Sequence, residues 1–194
     1  MDDKSFKFDS NRINAWKLNN LQIGFTNGCF DLLHPGHISL LSRAKSECDK
    51  LIVGLNSDAS VRRLKGSQRP IQTEEARAIV LNGLKAVDCV IIFGEDTPLK
   101  LIEVVKPDVL VKGGDYKLDQ VVGAGFVKGN GGRIVLASYQ VEHSTSKLIN
   151  KIDKKYDIII LAVAHDEFLK INFINFKKTD GIIYDVKSVL DKNI

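Results

Sequence analysis

The sequence predicts an α/β fold in which helices cover both faces of a parallel β-sheet. Short apolar runs of strand length alternate with amphipathic helical segments through most of the chain. A glycine-containing turn joins the first apolar run to the helix that follows it. The length of 194 residues, with 44% hydrophobic and 27% charged residues, suits one globular domain and a remainder.

The strands and helices follow in a regular order. The polar first 20 residues predict no more than a short leading helix. Strands are predicted at residues 21–26, 51–55, 90–93, 109–111 and 134–137. Helices are predicted at residues 37–46, 59–65, from 73 onward, 98–105 and 145–152, and a helical region interrupted by Gly123 and Gly125 is predicted at residues 118–128. This alternation implies right-handed crossovers, and therefore a Rossmann-like, doubly wound parallel sheet of about five strands.

A second segment follows the alternating region. Residues 156–169 are typical of a buried strand running into a helix, and residues 181–190 of another strand with a short helix. The predicted domains are therefore residues 1–152 and a β-α-β extension over residues 153–194.

Charge and hydropathy exclude several classes of protein. The net charge of +4 is spread along the chain, which favours an anionic small molecule over nucleic acid. The longest apolar run, residues 158–164, has seven residues, against about 20 for a membrane span. No apolar stretch follows the N-terminus, so no secretory signal is expected. Three cysteines without a C-x-x-C pair are typical of the reducing cytoplasm.

The strongest local pattern is residues 26–37, which follow a strand and open a helix. Gly28 and Gly36 permit a tight turn and a close approach of backbone to ligand. The helix start supplies free N–H groups to an anion, and His34 and His37 add donors at the same point. Together, the N–H groups and the two imidazoles suit nucleotidyl transfer, in which negative charge must be stabilised on phosphate oxygens. A surface histidine pair or half of a metal site is the alternative, but no further ligand stands nearby in the sequence.

These residues carry a family resemblance. The pattern Gly28-x-Phe30-Asp31-x-x-His34-x-Gly36-His37 resembles the HxGH signature of the cytidylyltransferase-like nucleotidyltransferase superfamily. A wider set resembles its D-glycero-β-D-manno-heptose 1-phosphate adenylyltransferase branch: residues 25–31, 53–66, 69–71, Arg77, 95–98, 112–116, 122–123 and 144–145. The resemblance extends over residues 13–152.

The resemblance implies transfer of AMP from ATP to the heptose 1-phosphate, giving ADP-heptose and pyrophosphate. The nucleophile would be an anionic phosphate oxygen, so no general base is required, and positioning and charge neutralisation remain. Mg²⁺ would be held mainly by the phosphates, and a homodimer is expected because the superfamily often forms dimers. Two alternatives stay open: a cytidylyltransferase for CTP and an alditol or other sugar phosphate, or a non-catalytic nucleotide-sugar binding module.

The resemblance also implies roles for individual residues. The expected catalytic residues are His34, His37 and Lys65. The expected nucleotide-binding residues are Thr26, Asn27, Gly28, Cys29, Phe30, Asp31, Gly36, Glu142, Ser144, Thr145 and Ser146. The expected substrate-binding residues are Asp58, Arg62, Arg69, Lys112 and Asp115.

Several of these residues have a simpler alternative. Asp31 is expected to hold its loop, because a carboxylate repels phosphate. Asp58 and the hydroxyls at 144–146 are also typical helix caps. Arg62, Lys65 and Arg69 are alternatively a solvated face. Gly123 and Gly125 do not form a dinucleotide-binding motif, because position 128 is Lys.

The C-terminal extension carries a separate, shorter resemblance. Residues 156–169 and 181–190 resemble the end of the nucleotide-sugar-binding domain of UDP-sugar dehydrogenases. The catalytic cysteine and the dinucleotide-binding domain of that family have no counterpart in this sequence, so oxidation is not predicted. The alternative is a β-α-β piece that docks on the main sheet or mediates association.

Overall fold

The computed structural model describes residues 6–113, 120–137, 155–161 and 172–186. Contacts between Cα atoms divide the chain into two units, Met1–Thr145 and Ser146–Ile194, and each is described by itself. The domain boundary predicted at residue 152 lies outside the described residues and stays a prediction.

The first unit contains a five-stranded sheet whose strands are all parallel. They are β1 (Ile23–Gly28), β2 (Lys50–Asn56), β3 (Cys89–Phe93), β4 (Val109–Gly113) and β5 (Arg133–Ala137). Their spatial order is β3-β2-β1-β4-β5, so the chain winds outward in both directions from β1. This order confirms the predicted doubly wound sheet, and it places the topological switch point between β1 and β4.

Six helices lie in the described part of this unit, the first before β1 and the other five between successive strands. They are α1 (Ser10–Leu18), α2 (Pro35–Ser46), α3 (Asp58–Lys65), α4 (Glu74–Asn82), α5 (Leu99–Val105) and α6 (Ala124–Gly129). The side chains of Asp9, Ser57 and Thr73 accept hydrogen bonds from N–H groups of the first turns of α1, α3 and α4, as N-caps do.

The helical region predicted at residues 118–128 is interrupted at Gly123, as expected, but the interruption expected at Gly125 is wrong, because α6 continues through Gly125. The helix begins only at Ala124, because Gly123 adopts a left-handed conformation with φ of 86° just before it. The helix predicted at residues 145–152 lies outside the described residues.

The core consists of two apolar clusters, one on each face of the sheet. In β2, Leu51, Val53 and Leu55 pack into one cluster and Ile52 into the other. Strands buried on both faces are typical of parallel sheets under helices. Because the faces are covered, the ligand-accessible region lies at the carboxyl ends of the strands. None of the helices in the described ranges has the length and apolar character of a membrane span.

The second unit contains a parallel pair of strands, β6 (Tyr156–Leu161) and β7 (Lys177–Asp185). A short 3-10 helix, Phe173–Phe176, precedes β7. The second strand begins four residues earlier than the sequence predicts, at Lys177 and not at residue 181. Parallel pairing agrees with the predicted β-α-β order, although the predicted helices of this extension lie outside the described residues.

Candidate active site

The candidate active site lies where the carboxyl ends of β1, β2 and β4 meet. Residues 29–34 connect β1 to α2 and are called the β1–α2 loop. His34 is the N-cap residue of α2, and Pro35 occupies its first turn, where a missing N–H costs nothing. The predicted strand-to-helix turn is therefore present, with the N-terminus of α2 at the switch point of the sheet.

The imidazoles of His34 and His37 stack against each other at this helix start. Their ring centroids are 3.8 Å apart and their planes are inclined by 25°. The ring of Phe30 lies 5.0 Å from that of His37, tilted by 55°. These contacts bring two predicted catalytic residues together and support one ring with a buried aromatic side chain.

Phe30 has an unusual backbone conformation. Its φ is 44°, in the left-handed region, while its side chain is only 3% exposed. A non-glycine residue in this region costs roughly 1–2 kcal/mol. Gly28 lies close to the same ring, since a Cβ at position 28 would come within 3.1 Å of Phe30 Cε2. The turn is thus shaped to seat Phe30 beside His37.

The pKa of His37 is lowered to about 4. Burial is the main cause and the neighbouring His34 adds to it, while a hydrogen bond to the backbone of Leu32 opposes the shift. The His37 imidazole is therefore neutral at neutral pH without a ligand. A polyphosphate placed beside it would favour the imidazolium and raise its pKa, so its charge is coupled to anion binding.

An open hollow of about 630 Å³ adjoins the first turn of α2. It is lined by Leu33, His34, Pro35, Ile38 and Ser39. There is therefore space for a bound molecule next to His34.

Asp31 joins the β1–α2 loop to the segment before α4. Its carboxylate accepts hydrogen bonds from Arg69 Nε at 2.5 Å and from the backbone N–H groups of Ile71 at 2.8 Å and Gln72 at 3.0 Å. Burial alone would raise the pKa of Asp31, but these three donors lower it below its usual value. Asp31 thus holds its loop, as its charge led us to expect.

This contact restricts the role predicted for Arg69. Its Nε is occupied by Asp31, and its side chain is 14% exposed. A contact with substrate phosphate, which stays a prediction, would have to use the other guanidinium nitrogens.

Arg77 connects three segments around the site. Its side chain is fully buried, and it donates hydrogen bonds to the carbonyls of Cys29 (2.6 Å), Asn56 (2.9 Å) and Gln72 (3.1 Å). It also pairs with Asp58 at 2.7 Å. In the sequence, Arg77 belongs to the pattern of the resemblance, but no role was predicted for it. The available signal was the position of Arg77 next to Ala78, a residue of the apolar core in α4. A guanidinium buried at such a position needs hydrogen-bond partners.

Asp58 does not cap α3. Ser57 is the N-cap, and Asp58 is the first helical residue. The Asp58 carboxylate accepts a hydrogen bond from Arg77, and its backbone N–H donates one to the Glu74 carboxylate. The capping alternative for Asp58 is therefore wrong, and its predicted role in substrate binding stays a prediction.

Lys112 and Asn27 meet across the switch point. Lys112 Nζ donates to Asn27 Oδ1, and Lys112 is only 9% exposed. Asn27 lies near the end of β1 and Lys112 near the end of β4. The structure therefore brings two predicted ligand-binding residues into contact and places a cation beside the site.

The remaining predicted residues divide into three groups. Arg62 and Lys65 are exposed in the last turn of α3. Thr26 and Gly36 are buried, and burial raises the pKa of the Cys29 thiol. Outside the described residues lie Asp115, Glu142, Ser144, Thr145 and Ser146.

Several known proteins are similar to this chain. It is 58% identical over 141 residues to the bifunctional protein HldE of Paramagnetospirillum magneticum, covering 73% of this chain and 29% of that protein. It is 60% identical over 140 residues to the bifunctional protein HldE of Rhodospirillum rubrum, covering 72% and 28%. The chain thus spans less than a third of the length of these relatives.

Solved structures share the fold. The lipopolysaccharide core biosynthesis protein of Thermoplasma volcanium aligns with a TM-score of 0.53 and 28% identity, over 63% of this chain and 99% of that one. The pantoate-beta-alanine ligase of Francisella tularensis aligns with a TM-score of 0.51 at 20% identity, over 72% and 70%. The second likeness concerns the fold alone.

The family profile described as cytidylyltransferase-like matches residues 25–125. These residues make up just over half of the chain, and they include most of β1, all of β2 to β4, the stacked histidines, Asp31 and Arg77. The chain belongs to the cytidylyltransferase-like family.

Proposed function

We propose that this chain is an adenylyltransferase, which transfers AMP from ATP to D-glycero-β-D-manno-heptose 1-phosphate and releases pyrophosphate. The observation that carries the proposal is the stacked pair His34 and His37 at the N-terminus of α2, supported by Phe30 at the switch point of the sheet. Phosphoryl and nucleotidyl transfer depend chiefly on positioning and on charge stabilisation at such a point.

The reaction forms one bond and breaks one. An oxygen of the sugar phosphate attacks the α-phosphorus of ATP, and the bond from that phosphorus to the bridging oxygen of pyrophosphate breaks. No proton needs to be removed from the nucleophile. His34 and His37 donate hydrogen bonds to the phosphate oxygens, and the backbone N–H groups at the start of α2 face the same charge.

The cations around the site neutralise the remaining charge. Lys65 and Arg62 on α3 are exposed and free to reach the phosphates of ATP, together with the terminal nitrogens of Arg69. Lys112, held by Asn27, faces the sugar phosphate. Asp31 and Asp58 serve by holding Arg69 and Arg77.

The described residues do not provide a magnesium site of their own. No group of three or more His, Cys, Asp or Glu side chains within the described ranges is placed to hold a metal ion. The nearby carboxylates of Asp31 and Asp58 are both engaged by arginines. We therefore propose that Mg²⁺ enters with ATP, held mainly by its phosphates.

The choice of heptose and adenine rests on similarity. The chain is 56–60% identical to bifunctional HldE proteins and shares its fold with a protein named for lipopolysaccharide core biosynthesis. These likenesses and the motifs at residues 53–66 and 112–116 support the heptose branch over CTP and an alditol phosphate.

The test is a substrate panel. ATP and CTP are each combined with heptose 1-phosphate and with glycerol 3-phosphate, with Mg²⁺ present, and pyrophosphate release is measured. We expect release from ATP with heptose 1-phosphate and its loss in His37→Ala. Release only from CTP with glycerol 3-phosphate would favour the alternative enzyme. Binding of ADP-heptose without any turnover would favour a non-catalytic module.

Two accompanying proposals concern the protein as a whole. We propose that it is a homodimer and that it acts in the cytoplasm, in a pathway that supplies ADP-heptose to a glycan. Sedimentation of the full chain tests the first, and fractionation of the producing cells tests the second.

A further inference from the structure

We propose that Arg77 is a positioning residue for the candidate active site, and that its guanidinium holds the peptide between Cys29 and Phe30 so that Phe30 supports the ring of His37. No contact of Arg77 with substrate is required. The kinetic part of its test rests on the proposed function, whereas the spectroscopic part does not.

Arg77 contacts the β1–α2 loop directly. Arg77 Nη1 donates to the carbonyl of Cys29 at 2.6 Å. That carbonyl belongs to the peptide group that joins Cys29 to Phe30. The hydrogen bond therefore fixes the plane of this peptide group, and the φ of Phe30 is measured relative to that plane. Phe30 has the left-handed φ of 44°, a conformation that persists only when its surroundings enforce it.

The Phe30 ring contacts that of His37. Phe30 is 3% exposed, and its ring lies 5.0 Å from that of His37, which in turn stacks on His34. A rotation of the peptide at Cys29 would move the Phe30 ring and remove the support of His37. Arg77 therefore acts on the histidine pair through one peptide and one aromatic ring.

The Arg77 side chain is itself held in place by three further contacts. Its hydrogen bonds to Asn56 and Gln72 and its pair with Asp58 use three further N–H groups. Four N–H groups in a planar fork are thus directed at three segments, which are the junction of β2 and α3, the segment before α4 and the β1–α2 loop. Lysine carries the same charge on a single nitrogen and cannot reproduce this planar fork.

A purely structural ion pair would not need this arrangement. Arg63 provides the comparison within the same molecule, because its Nε contacts Asp96 at 2.7 Å and its Nη2 contacts the carbonyl of Gly94 at 2.6 Å. The Arg63 side chain is 49% exposed, against 0% for Arg77. Arg63 and Arg77 therefore make similar contacts, but only Arg77 reaches the β1–α2 loop.

The kinetic experiment compares Arg77→Lys with Arg63→Lys in the full chain. We expect Arg77→Lys to lower kcat for pyrophosphate release about 100-fold, as a displaced reacting group does, and to change KM for ATP less than about threefold. Arg63→Lys should keep both constants within about twofold of the wild-type values. Circular dichroism and urea unfolding verify that each variant is folded.

The spectroscopic experiment does not depend on turnover. The Cε1–H resonance of His37 is shifted by the ring current of Phe30, and Phe30→Leu gives the resonance position without that ring. We expect Arg77→Lys to move the His37 resonance toward its position in Phe30→Leu, and Arg63→Lys to leave it in place.

The outcomes separate the two proposals. No turnover by the wild-type chain with a shifted His37 resonance in Arg77→Lys would refute the proposed function and support the role of Arg77. Wild-type kcat and an unmoved His37 resonance in Arg77→Lys would refute the role of Arg77. A variant that does not fold at all would also refute it, because the role of Arg77 would then be structural.

Discussion

Replacement of Asp31 by asparagine tests how the β1–α2 loop is held. The carboxylate is 0% exposed and accepts from Arg69 Nε, Ile71 N–H and Gln72 N–H. In Asp31→Asn one oxygen still accepts from the two backbone N–H groups. The new amide group, however, presents a donor to the Arg69 guanidinium, which is also a donor. The ion pair is lost and a cation is left without its partner.

The expected cost follows from these contacts. A hydrogen bond to a charged group contributes about 1.5–3 kcal/mol, and breaking a buried ion pair costs about 3–5 kcal/mol. Arg69 retains 14% exposure, so water relieves part of the penalty. We expect Asp31→Asn to lower the free energy of unfolding by about 3 kcal/mol.

The pH dependence supplies a second test. The pKa of Asp31 is lower in the folded protein than its usual value, so its stabilisation is present above the unfolded pKa of about 3.9. It is lost as the pH falls through the folded pKa. The difference between wild type and Asp31→Asn should therefore be constant from about pH 6 to 8 and should shrink below about pH 4.

The assay is urea unfolding followed by the fluorescence of Trp16, the single tryptophan, which lies in α1 of the first unit. Asp96→Asn is the matched control, because Asp96 also contacts an arginine Nε at 2.7 Å but is 63% exposed. Its cost should stay below about 1 kcal/mol. Equal costs for the two variants would refute the reasoning that burial makes the Asp31 contact strong.

Three further predictions concern the packing of Gly54, the titration of His37 and the role of Lys112. Gly54→Ala should destabilise the first unit by about 1–3 kcal/mol, because the new Cβ would lie 2.7 Å from Phe25 Cζ. Gly125→Ala is the control, since a Cβ at that position meets open space. An equal cost for the two variants would contradict the packing argument. A proton NMR titration of His37 without nucleotide should show a midpoint near 4, rising when ATP is added; a midpoint of about 6 or above would contradict its burial. Lys112→Met should raise KM for heptose 1-phosphate about tenfold and leave KM for ATP nearly unchanged, whereas an equal rise for both substrates would place Lys112 elsewhere.

The strands of the first unit were largely predictable. Buried parallel strands are nearly continuous apolar runs, and the runs at residues 51–55 and 90–93 lie within β2 and β3. Helix ends were less predictable where backbone conformation decides them. The sequence predicted breaks at both Gly123 and Gly125, but only Gly123 adopts a positive φ, and α6 continues through Gly125. Which glycine leaves the helical conformation is a property of the folded chain.

Within the candidate site, the β1–α2 loop likewise has features that the sequence predicted and features that it did not. Asp31 was expected to hold its loop because a carboxylate repels phosphate, and this argument needs only the residue type. Its partners Arg69, Ile71 and Gln72 follow about 40 positions later, and no local periodicity connects them. Arg77 was missed as an organising residue for the same reason, because its partners belong to three separate segments.

The amino-acid sequence by itself determined the fold class, the strand-to-helix turn at the switch point and the two histidines that stand there. These depend on hydrophobic periodicity, on glycine and proline, and on spacings of a few residues. Only the tertiary structure decided that the imidazoles stack at 3.8 Å, that Phe30 supports one of them, and that Asp31 and Arg77 hold the surrounding loops. The physical reason is that long-range contacts and burial, which set the partners and the pKa values of polar side chains, arise only when distant segments pack together.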